Sequence, residues 1–435
     1  MSKIEVNTVD VQCGSTLTLG SSGKTVTLAT GASQSGFGRT GTVDWCTTVK
    51  TSPLTAVSGN GYFINTTAGV ITVTLPSSPT AGDIVALKDY ASTWNSNAVT
   101  VGRAGSKIGG QCNCATLDTQ SQSVTLIYVD GTQGWQDIHD STANVTGAEF
   151  VAATGGTITT VCTDYKVHTF NASGCFQVTN AGNAGGSNTV DYMVVAGGGG
   201  GTSDRGGGGG AGGFRESSGT ASGSYTASPL GACVAALPVS VSTYPITVGG
   251  GGAGGCSPQC GIKGSNSVFS TITSTGGGFG LYNKGSSPTE GPGGSGGGAG
   301  YGGPYAGGAG NTPPVSPSQG FPGGTGSGSE GGAGGGGATV VGGNPSPPSG
   351  GIGGTGATTS INSTPTARAG GGGGSSQGSP VAGGAGGGGT GWGGPPSPGT
   401  GGDGTVNTGG GGGGSRCNPG GAGGSGVVII RYKFQ

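Results

Sequence analysis

The sequence predicts an all-β protein: short N-terminal β segments, a β-sandwich or barrel module, and a glycine-rich domain of packed polyglycine-II helices framed by β-strands. Three observations carry this. Strand-length runs recur between Gly, Pro, Asn and Ser turns, and no helical period is sustained along the chain. Of 112 glycines only 24 precede residue 196, so the second half is built largely from glycine. That half is bracketed by Asp191-Tyr-Met-Val-Val195 and Val427-Val-Ile-Ile-Arg-Tyr-Lys-Phe434, strand-like runs that a flexible linker would not need.

Residues 1–40 read as a leader, shaft or attachment segment. Lys3–Val6, Ser15–Leu19 and Lys24–Leu28 alternate apolar and polar residues, the period of a half-buried strand. Each is too short to stand alone, and pairing with other copies in an intertwined trimer would satisfy its edges. Residues 41–141 are the most conventional unit. The runs Val70–Leu75, Asp83–Leu87, Ala98–Val101, Val124–Val129 and Gly134–Ile138 indicate an antiparallel sandwich or barrel, with Trp45, Trp94 and Trp135 anchoring its core or a subunit interface. Residues 142–196 form a β bridge in which His168 sits on a strand as a structural histidine. Residues 197–435 are the glycine-rich domain, closed by strand 427–434.

Glycine loses the most backbone entropy on folding and buries no side chain, so such a domain cannot rest on a hydrophobic core. Backbone hydrogen bonding at close approach is what remains. A polyproline-II helix has three residues per turn and no internal hydrogen bonds, so its N–H and C=O groups point outward. All-glycine helices of this kind can pack side by side and bond to one another. Buried helices should then be nearly pure glycine, and edge helices should carry a side chain at every third position. Pro292, Ser295, Tyr301 and Pro304 follow that phase, as do Thr400, Asp403 and Val406, and Ala422, Ser425 and Val428. Ala299 falls out of it, and Thr325, Ser327 and Ser329 alternate by two. Collagen is excluded by the glycine-free stretch Asn311–Gln319 and the ordinary proline usage.

Composition narrows function further. Charged residues make up 8% and the net charge is −1, which gives no electrostatic case for nucleic acid or an anionic membrane surface. No apolar run has the length of a membrane span or a signal peptide, so a protein made in a cytoplasm without membrane insertion is expected. The cysteines lack a disulfide rhythm and read chiefly as small buried or loop thiols. Matches to G-x-G-x-x-G carry no information inside glycine runs, and no nucleophile, metal or paired-carboxylate arrangement is nominated. The expectation is a non-enzyme with no cofactor and no metal.

Three stretches resemble tail-fibre and related structural proteins of marine bacteriophages, particularly those infecting cyanobacteria and other ocean bacteria. They are the leader Ser2–Thr8 with Ser15–Gly20; the β module with Gly61–Thr66, Val73–Pro76, Gly82–Val85 and Gly134-Trp135; and the glycine frame. That frame comprises Val167–Phe170, Asp191–Gly199, Gly207–Phe214, Tyr244–Gly250, Asn407–Gly411 and Gly426–Tyr432. The resemblance implies a virion protein, an adhesin whose variable inserts between glycine runs touch a host-surface glycan or outer-membrane protein. It also implies a homotrimer joined to other virion proteins through the N-terminal part. Tyr282, Tyr301, Tyr305, Phe321, Trp392 and Arg416 are the receptor-binding candidates, because aromatic and polar loop residues suit such contacts. In an up-and-down lattice successive inserts alternate between its ends, so only about half can share one tip. A purely architectural virion protein (a capsid decoration or fibre shaft) is the alternative, and a glycine-rich bacterial surface or ice-binding protein the second.

Overall fold

The computed structural model describes residues 43–141, 148–183, 186–223, 225–231, 233–282, 291–328, 330–394 and 399–435. The expected leader strands of residues 1–40 lie outside these, as do 283–290 and 395–398 of the inserts. The chain divides into two units, Met1–Val145 and Thr146–Gln435.

In the first unit the chain alternates between two sheets. One holds β1 (Asp44–Lys50), β3 (Asn60–Ile64), β5 (Ile84–Asp89), β8 (Ser123–Asp130) and β9 (Gly134–Ser141), in that order. The other holds β2 (Leu54–Thr55), β4 (Ile71–Thr74), β6 (Val99–Gly102) and β7 (Ala115–Leu117). The expectation of an antiparallel module is corrected here: β1–β3, β3–β5, β2–β4 and β4–β6 are parallel. A parallel pair needs a crossover connection, and in this unit the crossover is a strand of the opposite sheet. Trp94 and Trp135 fill the space between the sheets with Ile64, Val73, Leu75, Leu87 and Val99. Trp45 does not, and stays 43% exposed on the outer face of its sheet.

The second unit opens with a two-sheet sandwich. Its first sheet runs β10 (Val151–Thr154), β13 (Gly174–Ala181), β17 (Thr243–Thr247), β18 (Ser267–Phe269), β19 (Ile272–Ser274). Its second runs β11 (Thr157–Val161), β12 (Tyr165–Phe170), β22 (Val427–Lys433), β14 (Thr189–Val195), β15 (Phe214–Glu216), with β16 (Leu237–Pro238) on β14. The stretch read as a bridge thus supplies five strands to this sandwich. Phe176, Phe269, Val190, Tyr192, Val194, Val428, Ile430 and Tyr432 pack between the sheets. The opposite faces of β14 and β22 present Met193, Val195, Val427 and Ile429 to a second cluster with Ala211, Phe214, Ala338 and Ile361. Burial on both faces explains why these strands are continuous apolar runs. His168 is fully buried beneath them, its Nδ1 2.7 Å from the Gly155 carbonyl and its Nε2 3.0 Å from the Tyr432 hydroxyl.

Beyond this sandwich the strands continue as glycine helices. In 197–202 the amide donors step through three neighbours in rotation: Gly197 and Gly200 to Ser265 and Ile262, Gly198 and Gly201 to Gly424 and Gly421, Gly199 and Thr202 to Gly210 and Gly207. A repeat of three with every bond leaving the helix is the polyglycine-II signature. Helix 207–213 lies at the centre. Its seven amides all donate, at 2.7–3.1 Å, to 275–281, 333–336 and 409–412, while its carbonyls accept from 196–202, 295–298 and Gly372. Six helices therefore surround it. An outer ring includes 249–255, 261–265, 307–311, 320–326, 350–356, 382–385, 388–392, 401–405 and 420–426.

The three-residue phase holds on this outer ring. Thr400, Asp403 and Val406 face solvent, as do Ile352, Thr355 and Thr358, which close the outward row beside the hairpin β20 (Ala357–Thr359) and β21 (Thr366–Arg368). Inside, a Cβ added to Gly209 would stand 2.1 Å from the Gly199 carbonyl oxygen, whereas one added to Gly250 would meet nothing within 4 Å. Some readings are corrected. Ser295, read as an edge position, is fully buried in the inner ring, and Ala211, Ala299 and Ala333 are buried too. Val428 belongs to a strand. Of the cysteines read as buried or loop thiols, Cys112, Cys114, Cys162, Cys233, Cys256 and Cys417 are exposed free thiols outside the strands, and Cys175 is an exposed free thiol on β13.

Candidate functional site at the distal end of the glycine bundle

Helix direction follows from the hydrogen-bond register, and it sorts the inserts into two sets. Strands β14 and β22 join the bundle at residues 196 and 426, which marks the sheet end. The chain leaves that end along 196–202, turns at 203–206 and returns along 207–213 to β15. Alternation then continues. Among the described residues, turns near 256–260, 301–306, 327–328, 344–349, 376–380 and 416–419 lie at the distal end; 214–223, 233–248, 267–274, 312–319, 357–368 and 406–408 lie at the sheet end.

The centre of the distal end is the turn Thr202-Ser-Asp-Arg205, above the axis of the bundle. Asp204 and Arg205 both adopt left-handed backbone, φ 51° and 63°. Each such non-glycine residue costs on the order of 1 kcal/mol or more and persists only where its surroundings fix it. Here they are fixed by the ends of the inner helices. The amide of Tyr301 donates to the Arg205 carbonyl at 3.1 Å, Ser415 to Thr202 at 2.8 Å and Ser375 to Gly206 at 3.2 Å. The Thr202 hydroxyl donates to the Gly280 carbonyl and accepts from the Gly261 amide.

Side chains from separate inner helices then close over this turn. The Arg205 guanidinium lies 4.8 Å from the Tyr301 ring centroid and 3.6 Å from Glu330. Arg416 approaches the same carboxylate at 2.6 Å, and the Gln377 amide donates to it at 2.8 Å. The Tyr282 hydroxyl donates to Asp204 at 2.9 Å and lies 3.2 Å from the Ser257 hydroxyl. Two more candidates sit on the surrounding helices: Tyr305, whose carbonyl accepts from Gly326, and half-buried Trp392, whose amide donates to Gly414. The carboxylate is 38% exposed, so each ion pair is worth no more than about 1 kcal/mol and mainly orders the turns.

Five of the six candidates are thereby gathered at one end. Phe321 is not among them: its amide donates to Gly337, next to the sheet-end turn, so it lies nearer the sheet end. Sequence reasoning missed Arg205, Asp204, Glu330 and Gln377 as partners. Charges are rare in this half of the chain, and that scarcity was the available signal; their scatter in sequence hid their convergence. Among the described residues no group of three or more His, Cys, Asp or Glu could hold a metal ion.

Residues 171–433 match the family model described as Glycine-rich domain. The chain belongs to that glycine-rich domain family. No curated protein matches it.

The glycine-rich domain also buries charge at its sheet end, where it serves the fold. Asp191 accepts hydrogen bonds from both Ser217 and Ser222. Arg431 donates to the Ile361 carbonyl at 3.0 Å and lies against the Tyr165 and Tyr225 rings. Glu216 accepts from the Thr359 hydroxyl and the Ser228 amide, which ties the β20–β21 hairpin to β15. Burial pushes the Glu216 carboxyl above its ordinary range, against the opposing pull of those hydrogen bonds.

Proposed function

We propose that the protein is a phage tail-fibre or adhesin-like virion component. In this reading its glycine-rich domain presents the distal loops to a host-surface glycan or outer-membrane protein, without enzymatic activity. What carries the reading is the gathering of Tyr282, Tyr301, Tyr305, Trp392 and Arg416 at one end of a bundle held by backbone bonds. Such a scaffold leaves its loops free to vary. The N-terminal part would join other virion proteins and the chain would act as a homotrimer, assembled in the host cytoplasm. The test is adsorption of virions carrying Tyr301→Ala, Tyr305→Ala and Trp392→Ala together, with Phe321→Ala as the control. Loss of adsorption or host range in the triple variant alone is expected. Unchanged adsorption in both refutes the receptor role, and absence of the protein from purified virions refutes the virion assignment.

A second reading has its own support. Arg205, Arg416 and Gln377 are all engaged by Glu330, as expected of a tip whose polar groups serve its own rigidity. A purely architectural virion protein would show that arrangement and would tolerate the triple variant.

A further inference from the structure

The three tryptophans of the first unit differ in their surroundings. Trp94 and Trp135 are fully buried, while Trp45 keeps 43% of its surface exposed. Its ring lies over Gly61 on the outer face of the sheet, beside the Val43 side chain: a Cβ at that glycine would stand 2.7 Å from Trp45 Cδ2 and 2.8 Å from Val43 Cγ2. Phe63, on the neighbouring strand, holds one flank with ring centroids 4.9 Å apart at 35°. The indole is thus seated on its inner side and open on its outer side.

A row of neutral residues continues from it. The strand register aligns Trp45 with Gly61, Ala86, Thr125 and His139 across five strands. Residues directly opposite one another share a face; on it Gly61 and Ala86 are already covered, while half-buried Thr125 and exposed His139 stand beyond them. Four strand spacings make this row about 19 Å long. The one cation on the parallel row, Lys88, donates to the Ser121 carbonyl at 2.6 Å. A pyranose ring has one face of C–H bonds and a rim of hydroxyls. An exposed aromatic face followed by a hydroxyl and an imidazole matches both.

We propose that this outer sheet face is a carbohydrate-binding strip, with Trp45 as the stacking platform for one sugar and Thr125 and His139 as hydrogen-bonding partners for the next. It takes a neutral oligosaccharide of at least two rings. This site belongs to the first unit and stands independently of the distal loops of the glycine-rich domain.

The experiment is binding of the purified full-length chain to an array of neutral oligosaccharides, followed by titration calorimetry on the best ligand. Trp45→Ala is expected to weaken binding at least tenfold, and Val406→Ala, at an exposed position on the outer ring of the glycine-rich domain, to leave it unchanged. Gly61→Ala keeps the indole but lifts it from its seat, and is also expected to weaken binding, with Thr125→Ala as a milder variant should Gly61→Ala fail to fold. Wild-type chain that captures no oligosaccharide overturns the proposal, as does Trp45→Ala that binds like wild type. Loss of self-association in Trp45→Ala without loss of sugar binding also overturns it and makes the strip a subunit interface.

Discussion

Adding one methyl group at the axis of the bundle should do more damage than any surface change, and the same methyl at the rim should do none. Gly209 is the test position. Its amide donates to Gly412 at 2.8 Å and its carbonyl accepts from Gly372 at 2.9 Å. A Cβ there would lie 2.1 Å from the Gly199 carbonyl oxygen and 2.6 Å from its carbon. Helix 196–202 would have to retreat by more than 1 Å to reach ordinary contact, stretching the Gly199–Gly210 bond of 2.9 Å beside it. Overpacking of this kind costs about 1–3 kcal/mol. One or two backbone groups left unsatisfied add about 1–3 kcal/mol each, so with the overpacking cost Gly209→Ala should cost roughly 2–9 kcal/mol. Gly250→Ala meets open space, and at a compatible site such a change stabilises by about 0.4–1 kcal/mol through the unfolded chain. Denaturant unfolding of the full chain, with hydrogen exchange assigning the transition to residues 196–426, measures both. Equal effects at the two positions would falsify the claim that close backbone packing holds this domain.

Three further outcomes follow from the buried and paired charges. Desolvation lowers the His168 pKa below its ordinary 6.5, so the neutral form stabilises the fold above that value and the benefit is lost as pH falls through the folded pKa. His168→Gln should flatten the acid limb of a stability–pH curve, and an unchanged limb would assign it to other groups. Glu216 has the opposite sign of shift: with its folded pKa raised, its contribution is largest below the ordinary carboxyl value and declines as pH rises through the folded one. Glu216→Gln should therefore remove part of the loss toward neutral pH, read by thermal unfolding from pH 4 to 8, taken as a range of about two units either side of 6. Glu330→Ala releases Arg205 and Arg416 together; global stability should fall by under about 1 kcal/mol, while amide exchange at 203–206 and 415–418 accelerates.

The bundle was legible because its rule is local. Whether a glycine helix is at the rim can be read from Thr400, Asp403 and Val406, since a side chain every third position is what one solvent-facing ridge permits. Ser295 obeyed the same phase and is nevertheless buried. The register along one helix says nothing about which helices lie beside it, and that depends on contacts far apart in the chain. The parallel pairing in the first unit was hidden for a related reason. Val70–Leu75 and Asp83–Leu87 alternate in the same way whichever neighbour they take, and only the hop to the opposite sheet decides the direction. For the candidate site, aromatic inserts marked the right end of the bundle in five cases. Phe321 failed because an aromatic just inside a glycine run can belong to either end.

Strand β22 lies between β12 and β14, which do not pair with each other, and among the described residues it comes after every other strand in the chain. While the ribosome is still making it, β12 and β14 face an empty slot, and helix 420–426 is missing from the rim of a bundle begun more than two hundred residues earlier. Contacts of such sequence separation are slow to form. The glycine-rich half must therefore wait, its hydrophobic clusters still lacking Val427, Val428, Ile429, Ile430 and Tyr432, until β22 emerges. Its burden on the cell falls on whatever keeps the nascent chain from premature aggregation or cleavage.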